Sequence, residues 1–398
     1  MDKTKGNFTK YCIQIAAYSV ASMFCSGAIV QTFLLLIGLT ESEVYLYSSL
    51  TQVAQVVVMV LMIFISGKIK QARLLSAIAN LLLVIPIAIF IIGAIFPSFV
   101  SQTYVMLIFL GCVVAYGGNG LYAVLSYTLP YKLIDIADYG KLTGISGAVA
   151  GISTFALSTL HTTLVASFDF VMVTVWFFSF AIISAVLSFY LFFSMKERQS
   201  SGEMVVGWSE VTEVFRNKDT YLLFVPNLSR GLAFGVFNVI AVMAISSGIS
   251  DSTGASAINI ILQASSFAAS LVFSFFYKKL TVERMLIIAT IGVCIAFPFV
   301  LSFNFVAFLA ILLVALFFRF IVDSAIPTAL VKIIPESQIG AYSAIRMLIF
   351  TAGQAVAAAL VLPLSNQVGY VGVLIIASVM QLICGVGHYA VIMSHKSK

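Results

Sequence analysis

Four charged side chains lie deep inside apolar stretches of the sequence, where a charge is expensive. They are Arg230, Arg319, Asp323 and Arg346. A charge at the centre of a bilayer costs from about 3 to more than 10 kcal/mol, so such groups need water or a partner of opposite charge. A guanidinium group donates paired hydrogen bonds to carboxylate or phosphate. The chemistry these residues offer is therefore anion binding or a buried ion pair.

The count of positive and negative charges favours anion binding. Three arginines face one aspartate, an excess of two positive charges that suits an anionic substrate. Arg319 and Asp323 are four residues apart and share one helix face. The alternative is a structural or gating ion pair between Asp323 and Arg346, with the other arginines wetted by a cavity. Asp323 is the only carboxylate deep in an apolar stretch, which makes it the candidate proton-coupling or gating group.

Uncharged polar side chains form stripes at helical spacing in other apolar stretches. Such a stripe either contacts a substrate or bonds a neighbouring helix. The stripes comprise Gln14, Tyr18, Ser22 and Ser26; Tyr116, Asn119, Tyr122 and Ser126; and Asn259, Gln263, Ser266 and Ser270. Gly117, Gly118 and Gly120 interrupt the second stripe and predict close approach of another backbone. With the three arginines, Tyr18, Asn119, Tyr122 and Gln263 are the candidate substrate-binding residues.

Several kinds of chemistry have no motif here. The sequence has no Gly-x-x-x-x-Gly-Lys-Ser/Thr phosphate loop for ATP-driven pumping. Its His, Cys and acidic residues show no clustering that would build a metal or nucleophile site. We therefore expect neither an enzyme nor a bound cofactor. H+ and Na+ are the candidate coupling ions.

The elements that must position these residues are membrane-spanning helices. Hydrophobic residues make up 61% of the 398 positions and charged residues 9%, with a mean hydropathy of +1.11. At about 20 residues per span, twelve spans use nearly the whole length. The apolar runs lie near residues 12–38, 43–66, 73–96, 103–129, 142–166, 171–194, 220–247, 253–276, 283–301, 305–331, 339–362 and 368–393. The predicted fold is an all-α integral membrane protein with two pseudo-symmetric six-helix bundles.

Loop charges predict the orientation. With a cytoplasmic N-terminus, every loop Lys and Arg falls on the inner side, whereas Glu41, Glu43, Asp169 and Asp251 fall outside. The positive-inside rule then places both termini in the cytoplasm. The net charge of +6 needs no nucleic acid to explain it. We expect a multi-pass monomer in the cell (inner) membrane, with lipid and a small molecule as its partners.

The longest connection divides the chain. The predicted domains are residues 1–194, a central cytoplasmic loop at 195–219, and residues 220–398. In the loop, Trp208, Val211 and Phe215 recur at helical spacing among charged residues. That pattern predicts a short amphipathic helix on the inner membrane surface.

Six plus six spans around a long central loop resemble the major facilitator superfamily. The stretch from Gly67 to Arg73 keeps the glycine and basic charge of that family's loop between spans two and three, but lacks its aspartate. Residues 135–140, Asp-Ile-Ala-Asp-Tyr-Gly, are similar to a loop of the glycoside–pentoside–hexuronide cation symporters. That subgroup's carboxylates in span two are replaced here by Gln52 and Gln55.

The resemblance implies that spans one, four, seven and ten line a central cavity. Arg230, Arg319 and Asp323 would then lie on cavity walls, and the two halves would expose the cavity to each side of the membrane in turn. We expect a secondary transporter of a small organic anion. The alternatives are a transporter of an uncharged solute, such as a sugar or drug-like molecule, and a non-transporting membrane sensor built on a transporter fold.

Overall fold

The computed structural model describes most of the chain as helices and short connections. The described residues are 6–65, 71–96, 100–126, 129, 133, 139–196, 208–251, 254–276, 279–330, 333–334 and 339–396. The chain divides into two compact units, Met1–Gly207 and Trp208–Lys398. Residues 67–70 and 135–138, which carry parts of the two loop motifs, lie outside the described residues.

The first unit covers the first six apolar runs. Two of these runs are broken helices, one of them at Gly27, where φ is 91°. Positive φ strains any residue with a Cβ, so glycine suits this break. The helices are α1 (Asn7–Met23), α2 (Ala28–Leu36), α3 (Glu41–Ile65), α4 (Ala72–Leu81), α5 (Val84–Ile95), α6 (Gln102–Leu125), α7 (Tyr139–Val165) and α8 (Phe170–Ser194).

An aromatic cluster holds three of these spans together. Phe33 on α2, Phe90 on α5 and Phe178 on α8 are fully buried. The centroid of the Phe178 ring lies 4.9 Å from that of Phe33 and 5.4 Å from that of Phe90. Aromatic pairs at such distances contribute about 0.5–1.5 kcal/mol each beyond their burial.

The glycines of α6 make the close contacts predicted from their spacing. A Cβ atom at Gly120 would overlap the carbonyl oxygen of Gln55 on α3. At Gly118 it would lie 3.1 Å from the carbonyl oxygen of Ala79 on α4. Helix α6 therefore packs against two neighbours through bare backbone, as small residues allow in membranes.

The second unit covers the end of the connecting segment, from Trp208 onward, and the last six runs. Its helices are α9 (Trp208–Arg216), α10 (Lys218–Tyr221), α11 (Phe224–Asn238), α12 (Ile240–Ser246), α13 (Gly254–Phe276), α14 (Val282–Ala296), α15 (Phe305–Leu330) and α16 (Ile339–Lys396). Trp208, Val211 and Phe215, from which a short helix was predicted, lie on α9. Its position on the membrane surface stays a prediction.

Helix α16 accounts for two spans. It has 58 residues and bends at Gly369, where φ is 72° and ψ is 167°. Among the described helices, ten are long and apolar enough to cross a membrane, and α11 with α12 forms an eleventh span bent by 46°. The long stretch Ala344–His395 is counted once among the ten, and its bend separates the last two predicted runs. The expected twelve-helix architecture is therefore confirmed.

The orientation of these spans predicts which loops an impermeant reagent reaches. Ser42, near the start of α3, and Lys279, after α13, are both exposed. In intact cells, Ser42→Cys should react with an impermeant maleimide and Lys279→Cys only after the cells are permeabilised. Both changes are made with Cys294→Ser, because Cys294 is the native thiol that is not fully buried. Labelling of Lys279→Cys in intact cells would contradict the predicted topology.

Candidate functional site

An ion pair joins α11 to α15 in the second unit. The Nη2 atom of Arg230 lies 2.7 Å from Oδ1 of Asp323. The Nε–H group of Arg230 donates to the same oxygen at 2.9 Å. The two side chains are 11% and 18% exposed, so the pair is largely withdrawn from solvent. Both donors meet one carboxylate oxygen, which leaves Oδ2 for another partner.

Arg319 lies on the other side of the same carboxylate. Its Nε atom is 3.8 Å from Oδ2 of Asp323, an ion-pair distance too long for a hydrogen bond. The residue is only 3% exposed. Within the described part of the chain, Arg319 Nε makes no hydrogen bond. Among the described residues, Asp323 thus forms ion pairs with two largely withdrawn cations, and its hydrogen bond is with Arg230.

Both guanidinium groups lie over phenylalanine rings. The Cζ atom of Arg319 lies 3.3 Å from the centroid of the Phe234 ring, and that of Arg230 lies 4.6 Å from that of Phe350. The two rings meet edge to face, with centroids 5.0 Å apart. Cation–π contacts of this kind contribute about 0.5–2 kcal/mol, most where the cation is desolvated. They help to compensate the burial of Arg319.

Glycines explain how these side chains meet. A Cβ atom at Gly231 would overlap the carbonyl oxygen of Phe350, and one at Gly235 would lie 2.6 Å from that of Gln354. On the facing helix, a Cβ at Gly353 would lie 2.8 Å from the carbonyl oxygen of Leu228. Helices α11 and α16 therefore touch backbone to backbone. This crossing brings the α11 side chains of the site beside Phe350.

A methyl group at this crossing should destabilise the protein. Gly231→Ala forces the two backbones apart, and we expect it to lower the free energy of unfolding by about 1–3 kcal/mol. At Gly147 on α7, a Cβ atom would meet no described atom within 4 Å. Gly147→Ala should therefore be neutral or gain up to about 1 kcal/mol from helix propensity. Denaturant titration of both variants in detergent checks the contrast; equal stability would contradict the tight crossing.

Arg346 was predicted as a binding residue, with an ion pair to Asp323 as the alternative. That pair does not form, because within the described residues the salt bridges of Asp323 are those with Arg230 and Arg319. A role of Arg346 in binding stays a prediction. Arg346 lies half-buried on α16, one turn after Tyr342. The Tyr342 hydroxyl accepts a hydrogen bond of 3.1 Å from Asn227 on α11. The pairing of Asp323 with Arg230 depends on how α11 lies against α15, which sequence spacing does not reveal.

The sequence analysis also did not include His388 among the candidate site residues. Its side chain is fully buried on α16. The Nδ1 atom lies 2.7 Å from the carbonyl oxygen of Cys384, which can only accept, so Nδ1 carries the proton. The Nε2 atom makes no hydrogen bond to the described residues. A sequence signal existed, since Cys384 and His388 are four residues apart in an apolar helix.

The first unit brings three of the candidate residues together. The Tyr18 hydroxyl on α1 donates a hydrogen bond to Oδ1 of Asn119 on α6. The ring centroids of Tyr18 and Tyr122 lie 4.8 Å apart. This group is polar and uncharged, so it can contact hydroxyl or amide groups. The remaining candidate, Gln263, lies half-buried on α13 of the second unit.

A second polar group of the first unit includes two residues that the stripes did not reveal. The amide groups of Gln14 and Asn80 both donate to the Ser188 hydroxyl, at 3.1 and 3.0 Å. All three side chains are buried. Gln14 belongs to a predicted stripe, whereas Asn80 and Ser188 are isolated polar residues in apolar helices. The group joins α1, α4 and α8.

Comparison with known proteins gives a family and a set of similar folds. The sequence profile described as the Major Facilitator Superfamily matches residues 11–358. A solved D-xylose-proton symporter is 15% identical, with a TM-score of 0.75 and 98% of each chain covered. The xylose transporter XylE from E. coli is 13% identical, with a TM-score of 0.71 and 97% of each chain covered.

Other solved structures are similar over the same length. The nucleoside transporter NupG is 13% identical, with a TM-score of 0.64 and 100% of each chain covered. No curated protein sequence matches the chain. At identities this low, the solved structures show a shared fold and leave the substrate open.

Proposed function

Because this chain belongs to the Major Facilitator Superfamily and is a multi-pass secondary transporter, we propose that it carries a small organic anion. The proposed binding residues are Arg230 and Arg319. The anion would either replace Asp323 in its contacts with these arginines or bind the arginines together with Asp323. Arg346 contributes to the positive field of the same unit. The alternative of a non-transporting sensor is set aside, since the family indicates a transporter.

One observation carries this proposal: two arginines share one carboxylate. Among the described residues, the hydrogen bond of Asp323 is with Arg230, whereas the contact between Arg319 and Asp323 is an ion pair at 3.8 Å. Two positive charges against one negative leave an excess of one within this group. A buried excess charge is costly, and a substrate anion would compensate it. The anion would then bind more tightly when the site is buried, and the bound anion would in turn favour the buried state.

Asp323 is the proposed proton-coupling or gating residue. Protonation would remove its charge and weaken both contacts with the arginines. Arg230 could then turn its Nε–H and Nη2–H donors, which now meet one oxygen, toward the substrate. A bound anion and a protonated Asp323 would thus stabilise the same arrangement. A proton is the favoured coupling ion, in keeping with the D-xylose-proton symporter of the same fold.

A specific observation supports a second candidate, an uncharged solute. Tyr18, Asn119 and Tyr122 form a neutral polar group with two aromatic faces. Tyrosine and asparagine side chains bind hydroxyl groups, and aromatic faces pack against flat or apolar rings. Structures with the same fold are described as transporters of xylose, fucose and nucleosides.

Thermal stability in the presence of matched solutes distinguishes the two candidates. The purified protein is heated with pairs that differ only in charge, such as benzoate with benzamide and lactate with lactamide. At a concentration about 100 times Kd, a ligand adds about 2.7 kcal/mol to stability. We expect a shift with a carboxylate and none with its amide. Stabilisation by sugars or nucleosides, with no effect of any carboxylate, would favour the second candidate.

A further inference from the structure

We infer that Asn227 and His388 hold Arg230 when the Asp323 carboxyl group is neutral. We call their acceptor atoms, Oδ1 of Asn227 and Nε2 of His388, the holding pair. The inference rests on the proposed role of Asp323 as the proton-coupling or gating residue, and it adds two positioning residues to that step. It starts from two buried acceptor atoms for which the described residues supply no donor.

The orientation of the Asn227 amide is set by its neighbours. Its Nδ2 group donates to the carbonyl oxygen of Leu223 at 2.8 Å and to the Tyr342 hydroxyl at 3.1 Å. A carbonyl oxygen only accepts, so Nδ2 rather than Oδ1 must face Leu223. The residue is fully buried, and Oδ1 makes no hydrogen bond to the described residues. Oδ1 is therefore a buried acceptor whose role is fixed by chemistry.

The imidazole ring of His388 offers a second acceptor of this kind. Its Nδ1 atom donates to the Cys384 carbonyl oxygen at 2.7 Å, so Nε2 of the neutral ring carries a lone pair. The ring is fully buried, and Nε2 makes no hydrogen bond to the described residues. Leaving a buried acceptor without a donor is costly. We therefore expect a donor to reach both atoms in some state of the protein.

Arg230 is the donor that we assign to the holding pair. Asn227 and Arg230 are three residues apart on α11 and share one helix face. The last span of α16 touches α11 at this level, because a Cβ atom at Gly387 would lie 2.5 Å from Cγ of Pro226. His388 follows Gly387 directly and interacts electrostatically with Arg230. The guanidinium group carries five N–H donors, enough for two acceptors.

Protonation of Asp323 changes which acceptors suit Arg230. In the structure, the Nε–H and Nη2 groups of Arg230 meet Oδ1 of Asp323. A neutral carboxyl group is a weaker acceptor, and a buried guanidinium group without acceptors is unstable. A change of side-chain rotamer carries the Arg230 donors to the holding pair. Because Asn227 and His388 are uncharged, they bind Arg230 less firmly than the carboxylate does, so an arriving anion can take their place.

A double-mutant cycle in the ligand-free protein tests the inference. Asp323→Asn imitates the neutral carboxyl group, and His388→Leu removes one acceptor of the holding pair. In the wild type, His388→Leu should change stability little, because Nε2 has no donor among the described residues. In the Asp323→Asn protein, it should raise the unfolding equilibrium constant about tenfold more, the size of a hydrogen bond to a charged group. Denaturant titration in detergent measures both effects.

Two further variants show whether a hydrogen bond to Arg230 carries this coupling. His388→Gln keeps an acceptor near the position of Nε2 and should rescue most of the loss in the Asp323→Asn protein. In proteins that also carry Arg230→Gln, the changes at Asp323 and His388 should become additive. Arg346 also interacts electrostatically with His388. Coupling that persists without Arg230 would assign the acceptor to Arg346 and overturn the inference.

His161→Leu is the matched control. His161 is a fully buried histidine of the first unit, and its replacement should cost the same with and without Asp323→Asn. If Asp323→Asn does not fold, the cycle is measured in the Arg319→Gln protein, which has one buried cation fewer. Additive effects of Asp323→Asn and His388→Leu would overturn the inference. Since the cycle uses no ligand, that result would leave the proposed anion binding to be judged by its own experiment.

Discussion

Replacing Asp323 with asparagine is expected to lower the free energy of unfolding by about 3–5 kcal/mol, the cost of leaving a buried charge without its partner. Asparagine keeps the size of the side chain but removes the charge that Arg230 and Arg319 share. Two largely buried guanidinium groups would then face each other without an anion. The measurement is denaturant titration of the ligand-free protein in detergent.

A double-mutant cycle identifies the partner. Adding Arg230→Gln to Asp323→Asn should recover part of the loss, because one unpaired cation is removed. Adding Arg346→Gln should recover less, since the salt bridges of Asp323 among the described residues are with Arg230 and Arg319. Simple additivity of Asp323→Asn and Arg230→Gln would mean that the two residues are not coupled.

Asp169→Asn is the matched control for this cycle. Asp169 is exposed and caps the N-terminus of α8 by accepting a hydrogen bond from the Met172 amide. Asparagine caps a helix about as well as aspartate. The same chemical change should therefore be close to neutral at this position. A large loss at Asp169 would show that the assay reports something other than the buried charge.

The second large effect concerns binding of the anion. Arg230→Gln and Arg319→Gln should each weaken binding of a carboxylate by about 2–5 kcal/mol, because each removes a cation from a desolvated contact. Lysine should rescue poorly at both positions, since an ammonium group lacks the planar pair of donors and cannot stack on phenylalanine in the same way. The measurement is Kd in folded, monodisperse protein.

Arg284→Gln provides the control for these variants. Arg284 is exposed in the first turn of α14, so its loss should change Kd little beyond screened long-range electrostatics. Wild-type affinity for a carboxylate in both Arg230→Gln and Arg319→Gln would remove these arginines from the binding site. The uncharged solute would then be the better proposal.

The spans were predictable because bilayer thickness sets the length of each apolar run and orientation in the membrane sets which loops carry Lys and Arg. Each apolar run has a helix in the structure, and the positive charges of the loops predict one orientation. The breaks in these helices were not anticipated. Gly27 and Gly369 adopt positive φ, and a glycine in an apolar run carries no mark that distinguishes a bend from close packing.

The site was predictable in its components but not in its pairing. Position deep in the predicted spans was enough to identify Arg230, Arg319, Asp323 and Arg346, because a charge in lipid is costly unless it is compensated. Which arginine meets Asp323 depends on how α11, α15 and α16 pack in three dimensions. The sequence analysis did not include the Gly231-x-x-x-Gly235 spacing, which is typical of a close helix crossing. That spacing does not say which helix crosses there.

The aromatic partners were hidden for a different reason. The chain contains 34 phenylalanines, and no spacing rule separates a ring that faces lipid from one that covers a guanidinium. Phe234 and Phe350 lie on different helices, far apart in the sequence, and the crossing at Gly353 brings them together. Contacts of this kind emerge from packing.

Uptake into proteoliposomes tests the central claim most directly. Protein reconstituted in lipid vesicles is given an inward proton gradient and either a labelled monocarboxylate or a labelled neutral sugar or nucleoside. The proposed function predicts concentrative uptake of a carboxylate, loss of that uptake in Arg230→Gln and Arg319→Gln, and its retention in Arg284→Gln. Concentrative uptake of a sugar or nucleoside that survives both buried-arginine changes, with no uptake of any carboxylate, would contradict it.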